Sequence, residues 1–267
     1  MARMLGEAFR TGGELVRMAL YGGSPALLSM LGRPRRAAQY AASSLFLHRL
    51  ASQWGLEQRR PQEILGVDAD VEVGVCLAPQ SWFYSWDPSF GMDLFWLCVI
   101  TRLVQPRRVF EIGMSQGISA LHFALNSPGE AQVFTLDLPR DGSVRPALST
   151  TLMDREQIRE RERSQPVFVS KPENRKITQL FSDSARFDFS DFRGNIDLFF
   201  VDGAHSYDYV RSDTGRALEC CHAGSVVLWH DYGRYGVNGV TKYLHQLAKT
   251  REVYRLPGSA VAMHLIQ

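Results

Sequence analysis

No apolar run in the 267-residue chain reaches the roughly 20 residues that span a bilayer. The first residues also lack a clean apolar stretch followed by a small-residue cleavage site, so the expectation is a cytoplasmic protein. Cysteine is scarce: Cys76, Cys98, Cys220 and Cys221, two of them adjacent and none in C-x-x-C spacing. That pattern argues against a disulfide framework and against a thiolate metal site, and the four read as reduced core or helix residues. An excess of charge is lacking too, with 30 basic against 28 acidic residues and a net charge of +2. Bulk electrostatics therefore favour no nucleic-acid partner. What remains is an ordinary globular balance, 45% hydrophobic and 22% charged, long enough for one large α/β domain and an appendage.

Lysine is absent from residues 1–60, which hold nine arginines and only three acids, Glu7, Glu14 and Glu57. Apolar residues recur there at helical spacing (Leu5, Phe9, Val16, Leu20, then Leu45, Phe46, Leu50), broken at Gly12-Gly13, Gly22-Gly23-Ser24-Pro25 and Gly32-Arg33-Pro34. Residues 1–66 thus read as a helical N-terminal arm of short amphipathic helices. Such an arm covers the domain at 67–267 or pairs two subunits into a homo-oligomer. The sharper alternative is a basic face resting on an anionic membrane. Residues 67–90 turn acidic and then aromatic, with Trp82-Phe-Tyr-Ser-Trp86 as packing or as a pocket wall.

The α/β rhythm starts at Arg107. Val109–Ile112 reads as a buried strand, Gly113-Met-Ser115-Gln-Gly117 as a tight turn, Ile118–Leu125 as a helix and Gln132–Leu136 as a second strand ending on Asp137. In an open parallel sheet, ligands sit at the carboxyl ends of the strands. Gly113 and Gly117 let the backbone approach a ligand, and Asp137 stands where an acid accepts two hydrogen bonds from a ribose diol. The turn lacks the middle glycine of the dinucleotide fingerprint, and Glu111 puts a negative charge where a pyrophosphate would be repelled and a cation welcomed. Further strands are expected at Ile177–Phe181, followed by Ser182-Asp183-Ser184; at Ile196–Val201, followed by Asp202; and at Ser225–Trp229, followed by His230-Asp231. Two short strands finish the chain. The sum is a Rossmann-like, doubly wound, seven-stranded sheet. The proline-broken connection 138–176 is expected to form a lid, with a charged helix from Asp154 to Arg163 whose alternating signs read as a solvated face.

Asp202, His205, His230, Asp231 and Tyr232 collect at two strand ends. Two carboxylates on neighbouring strand tips would repel and raise a pKa; a divalent cation between them, Mg²⁺ by ligand type, removes that penalty. His230 is a further candidate ligand, which would tilt the site towards a softer metal. The bland alternatives are a helix cap for Asp202 and a satisfied core histidine for His230.

E-x-G-x-x-x-G at 111–117, followed by Asp137, resembles the cofactor half of class I S-adenosylmethionine-dependent methyltransferases. The run from Asp197 through Asp202-Gly-Ala-His205-Ser-Tyr207, with Asp213 and Trp229-His-Asp-Tyr232 downstream, is similar to the metal-dependent macrocin and mycinamicin type of O-methyltransferase. The resemblance covers roughly residues 92–267 and departs from that type at His230, where those proteins carry an acid. It implies a final antiparallel hairpin at one sheet edge. It also implies that Glu111, Gly113, Ser115, Gly117, Asp137 and Asp202 surround S-adenosylmethionine, with Asp183 or Ser184 near the adenine. Asp202 and Asp231 become metal ligands, His205 the general base, and a small-molecule hydroxyl (natural product, sugar or phenolic) the acceptor. Two rivals remain. Gly113-x-Ser115-x-Gly117 also matches a hydrolase nucleophile elbow, although Glu111 would oppose an oxyanion and Asp137 would have no role. The other rival is a non-catalytic module that keeps the cofactor fold for assembly or membrane attachment.

Overall fold

The computed structural model describes residues 55–76, 89–161, 165–234 and 237–267. The arm up to residue 54 and the Trp82–Trp86 cluster lie outside them. Seven strands form one sheet: β1 (Arg108–Ile112), β2 (Gln132–Asp137), β3 (Ile177–Phe181), β4 (Ile196–Val201), β5 (Cys221–Trp229), β6 (Tyr254–Arg255) and β7 (Ala262–Leu265). Their order is β3-β2-β1-β4-β5-β7-β6. β1 to β5 run parallel, and β7 runs against both β5 and β6, so the doubly wound sheet with its closing antiparallel hairpin is as expected.

Strand β4 shows why the sheet is buried on both sides. Leu198, Phe199, Phe200 and Val201 are all covered, and alternate residues enter opposite layers. Leu198 and Phe200 pack with Val109, Phe123 and Ile100, under helices α2 (Ser89–Val104) and α3 (Ile118–Asn126). Phe199 and Val201 pack with Phe110, Val210 and Leu244, under α5 (Tyr207–Cys220) and α6 (Asn238–Leu247). Among the described residues, two further α-helices are α1 (Pro61–Leu65) and α4 (Leu152–Arg161), the latter in the 138–176 connection. Ser206 caps α5, its hydroxyl accepting from Tyr209 N at 3.3 Å.

Two local features depart from the sequence reading. Strand β5 begins at Cys221 rather than Ser225, directly after α5, because an irregularity absorbs the extra residues. Ile196 faces Cys221 but Leu198 faces Val226, and the Ser225 hydroxyl bonds to Ile196 O at 2.8 Å across the gap. Residues 55–66, assigned above to the arm, are tied to the sheet. Arg59 N donates to Arg255 O, Arg255 N to Glu57 O, and Leu56 N to the Tyr232 hydroxyl. The compact unit accordingly runs from Gly55 to Gln267.

Helix α3 ends ahead of Pro128, where its last carbonyls need donors. Lys176 supplies them: Nζ donates to Ala124 O (2.8 Å), Ser127 O (3.1 Å) and Pro128 O (2.9 Å). Lys176→Met keeps the stem and removes the charge-assisted bonds. It should lower stability by about 2 kcal/mol, read as a shifted midpoint in chemical unfolding; an unchanged midpoint would mean that water replaces the ammonium without loss.

Candidate active site

The turn after β1 is held by its backbone. Gly113 has φ +102°, and a Cβ there would sit 1.9 Å from Asp202 O, so only glycine lets the tips of β1 and β4 come this close. Gly117 has φ +73° and heads α3; a Cβ there would lie 2.4 Å from the Phe168 ring. Its requirement is packing, and it stands outside the cleft that the turn borders. Ser115 is left-handed at φ 45°, and its N–H donates to Asp137 Oδ2 at 3.0 Å. Asp137 Oδ1 accepts from Leu138 N at 2.7 Å. The acid at the end of β2 therefore organises the loop as well as facing the cleft.

That cleft lies over the carboxyl ends of β1 to β4 and encloses about 680 Å³, open solvent included. Gly113, Ser115, Asp137, Asp183, Ser184 and Asp202 all border it, together with Thr150, Asp154, Gln157 and Ile158 from the 138–176 connection. Asp183 is itself committed: Oδ2 accepts from Ala147 N (2.7 Å) and Oδ1 from the Tyr209 hydroxyl (2.9 Å), which anchors the connection over the cleft.

Glu111 lies beneath the turn and is fully buried. Its carboxyl takes a hydrogen bond from Thr135 Oγ1 at 2.5 Å and a short one from Ser119 Oγ. Burial pushes it up to about 8 despite those bonds, with the Asp202 charge adding to the rise. Burial therefore works against the negative charge expected beside the turn.

Beside the cleft, seven charged or chargeable side chains form one chain of contacts. His205 Nδ1 donates to Asp154 Oδ1 at 2.5 Å, and Nε2 donates to Asp231 Oδ2 at 2.6 Å. Asp231 Oδ1 meets Arg234 Nε at 2.8 Å and His230 Nδ1 at 3.3 Å. His230 Nδ1 lies 3.0 Å from Asp202 Oδ1, while its Nε2 donates to Asp93 Oδ2 at 3.0 Å. Asp93 also accepts from Arg234 Nη2 (2.6 Å) and Ala260 N (2.7 Å). Burial works against charge on His205, but the bonds to Asp154 and Asp231 outweigh it and push the imidazole up to about 10. Burial likewise opposes charge on His230, and the Asp231 and Asp202 carboxylates carry it well above its usual value. Asp231, with backbone φ 62°, is held well below the carboxylate range against burial, chiefly by His230 and His205. Behind Gly203, burial pushes Asp213 on α5 to about 7.

Residues 110–232 match a family model described as a methyltransferase domain. The match spans 123 of the 267 residues. It contains the glycine turn, Asp137, Asp202, His205 and Asp231. No curated protein matches the chain. Solved structures align at low identity. The O-methyltransferase TomG of Streptomyces achromogenes, involved in tomaymycin synthesis and solved with SAM, is 15% identical over 82% of this chain and 95% of its own, at TM-score 0.46. A putative O-methyltransferase from Klebsiella pneumoniae is 15% identical over 86% and 99%, at 0.48. The Bacillus cereus O-methyltransferase in complex with SAH is 15% identical over 87% and 100%, at 0.47.

Within the matched stretch and its flanks, the predicted residues divide. Asp202, His205 and Asp231 come together, each offering a ligand atom within 4.8 Å of the others. His230 is not in that group; its Nδ1 faces Asp202 and Asp231 and its Nε2 faces Asp93. The hydrolase alternative loses its base for the same reason: neither histidine hydrogen-bonds Ser115 among the described residues. Two participants escaped the sequence reading. Asp154, read as part of a solvated face, is 4% exposed and holds His205. Asp93, in α2, is 2% exposed and holds His230 and Arg234.

Proposed function

We propose that this chain is a methyltransferase that binds S-adenosylmethionine and transfers its methyl group to the hydroxyl of a small molecule. The observation that carries this reading is the position of the cleft. The glycine turn, Asp137 and Asp202, the outermost member of the charged network, line it together. The network holds four carboxylates (Asp93, Asp154, Asp202, Asp231) against two imidazoliums and Arg234. One negative charge is left over, and Asp202, with its side chain 25% exposed, is where a cationic sulfonium can meet it.

A divalent ion fits the donor set: two carboxylates on adjacent strand tips, with an imidazole whose other nitrogen a carboxylate holds. Asp202 and Asp231 would hold it. Such an ion lowers the pKa of a bound hydroxyl. Asp231 turned towards a cation would release His205 Nε2. Asp154 would then keep the proton on Nδ1, and Nε2 would be free to take the acceptor's proton. The glycine turn and Asp137 position the donor for an in-line displacement in which S-adenosylhomocysteine leaves. The acceptor class follows from the resemblance, and the lid over the cleft supports it.

Calorimetric titration of the full chain with S-adenosylmethionine and S-adenosylhomocysteine, in Mg²⁺ and then in EDTA, tests the reading. Saturable binding should survive EDTA and weaken about 10- to 100-fold in Asp137→Ala, which removes charge-assisted bonds. Absence of binding in both conditions would overturn the cofactor assignment. Methyl transfer equally fast in EDTA would overturn the metal.

A further inference from the structure

We propose that Asp154 is a positioning residue for His205, so that helix α4 completes the reactive site rather than only covering the cofactor cleft. The inference rests on the reading of His205 as the base, and it stands on geometry that no local sequence signal announces. Asp154 lies in the first turn of α4, in the connection after β2. Its two oxygens have separate duties. Oδ2 accepts from Thr151 N at 2.5 Å, while Thr151 Oγ1 accepts from Asp154 N at 3.1 Å. This reciprocal cap fixes the carboxylate on its own helix. Oδ1 then accepts from both the backbone N (3.2 Å) and Nδ1 (2.5 Å) of His205, 51 residues away.

A capping acid ordinarily faces water. Here the pair is dry, with the His205 and Asp154 side chains 6% and 4% exposed. The double grip matters more than the charge. The backbone bond fixes where the His205 main chain sits, and the ring bond fixes its rotation. With Nδ1 turned to Asp154, Nε2 is the atom presented to Asp231 and to an acceptor. Gln157 and Ile158 of the same helix border the cleft. The orientation of His205 is thereby coupled to the element that closes over the cofactor.

The test uses the full chain with ¹⁵N-labelled histidine, saturated with S-adenosylhomocysteine, and reads the His205 ring by long-range ¹H–¹⁵N correlation. The wild type should show a protonated Nδ1 whose proton is strongly deshielded and slow to exchange. Asp154→Asn should lose that signature, because an amide in its place loses the charge-assisted bond to the ring. Thr151→Ala, which weakens the helix cap and leaves the carboxylate, should keep it. A freely exchanging or unprotonated Nδ1 in the wild type overturns the proposal even if Asp154→Asn fails to fold. So does an unchanged signature in Asp154→Asn, or its loss in Thr151→Ala. Failure of the base reading would be seen separately, as methyl transfer that survives removal of His205.

Discussion

His205→Ala is expected to slow methyl transfer by about 10³-fold, within the range for loss of a positioned general base, and to change S-adenosylmethionine affinity by less than about threefold. The separation of the two effects follows from position. His205 stands behind Asp154 and Asp202, 5% exposed, whereas the cofactor cleft is bordered by the glycine turn, Asp137 and the residues after β3. The alanine variant also strands Asp154 and Asp231, which face each other across the imidazole. Breaking a buried pair by removing one partner costs about 3–5 kcal/mol, so the variant should melt lower as well. His205→Gln separates the two losses, because its amide fills the space and donates to one carboxylate without acting as a base. Turnover lost in both variants, with calorimetric affinity retained in both, supports the assignment. Parallel loss of binding and turnover would remove it.

Glu111→Gln is expected to flatten the pH dependence of stability. Unfolded, a glutamate ionises near 4.5; folded, Glu111 holds its proton up to about 8. The native state therefore binds the extra proton, and stability falls as pH rises through that window. The stabilising form is complete below about 4.5 and lost above about 8. Integrated, this single group removes on the order of 4 kcal/mol at alkaline pH. Glutamine preserves the contacts with Ser119 and Thr135 and never ionises. Chemical unfolding of both proteins at pH 5 and pH 8.5 should show the variant gaining on the wild type by most of that amount. His205 also loses stabilisation as pH rises towards 10, but equally in both proteins. An unchanged difference between the two proteins at the two pH values would mean that Glu111 is already ionised in the fold.

Most of the fold was legible because its signals are local. Strands β1 and β4 are short apolar runs bounded by turn residues. Gly113 marks a backbone approach that the Asp202 carbonyl makes unavoidable, and Ser206 sits where a cap belongs. The acids at strand tips could be placed on one side of the sheet for the same reason. What was not legible is the pairing of charges. Asp93 meets partners 137 and 141 residues away, and Asp154 meets His205 across 51. Nothing near either acid in the chain distinguishes it from a solvated one. Asp154 even sits among arginines and glutamates that favour the opposite conclusion. Glu111 shows another limit: its position was legible, but burial bears on its charge, and burial is a property of the assembled layers. His230 was placed correctly as well, yet its ring is committed to carboxylates because Asp93 arrives from α2 on its far side.

The place of β7 has a consequence for how the protein is made. It follows every other strand in chain order, yet it is inserted between β5 and β6. While a ribosome is still adding Ala262–Leu265, β5 is a sheet margin with an unsatisfied ladder. That margin is the sequence Val226-Val-Leu-Trp229, apolar on both faces. Open apolar margins of this kind recruit other chains. A nascent chain stalled before Ala262, or one clipped there, should be a client for chaperones and a seed for aggregation, however well its first five strands have paired.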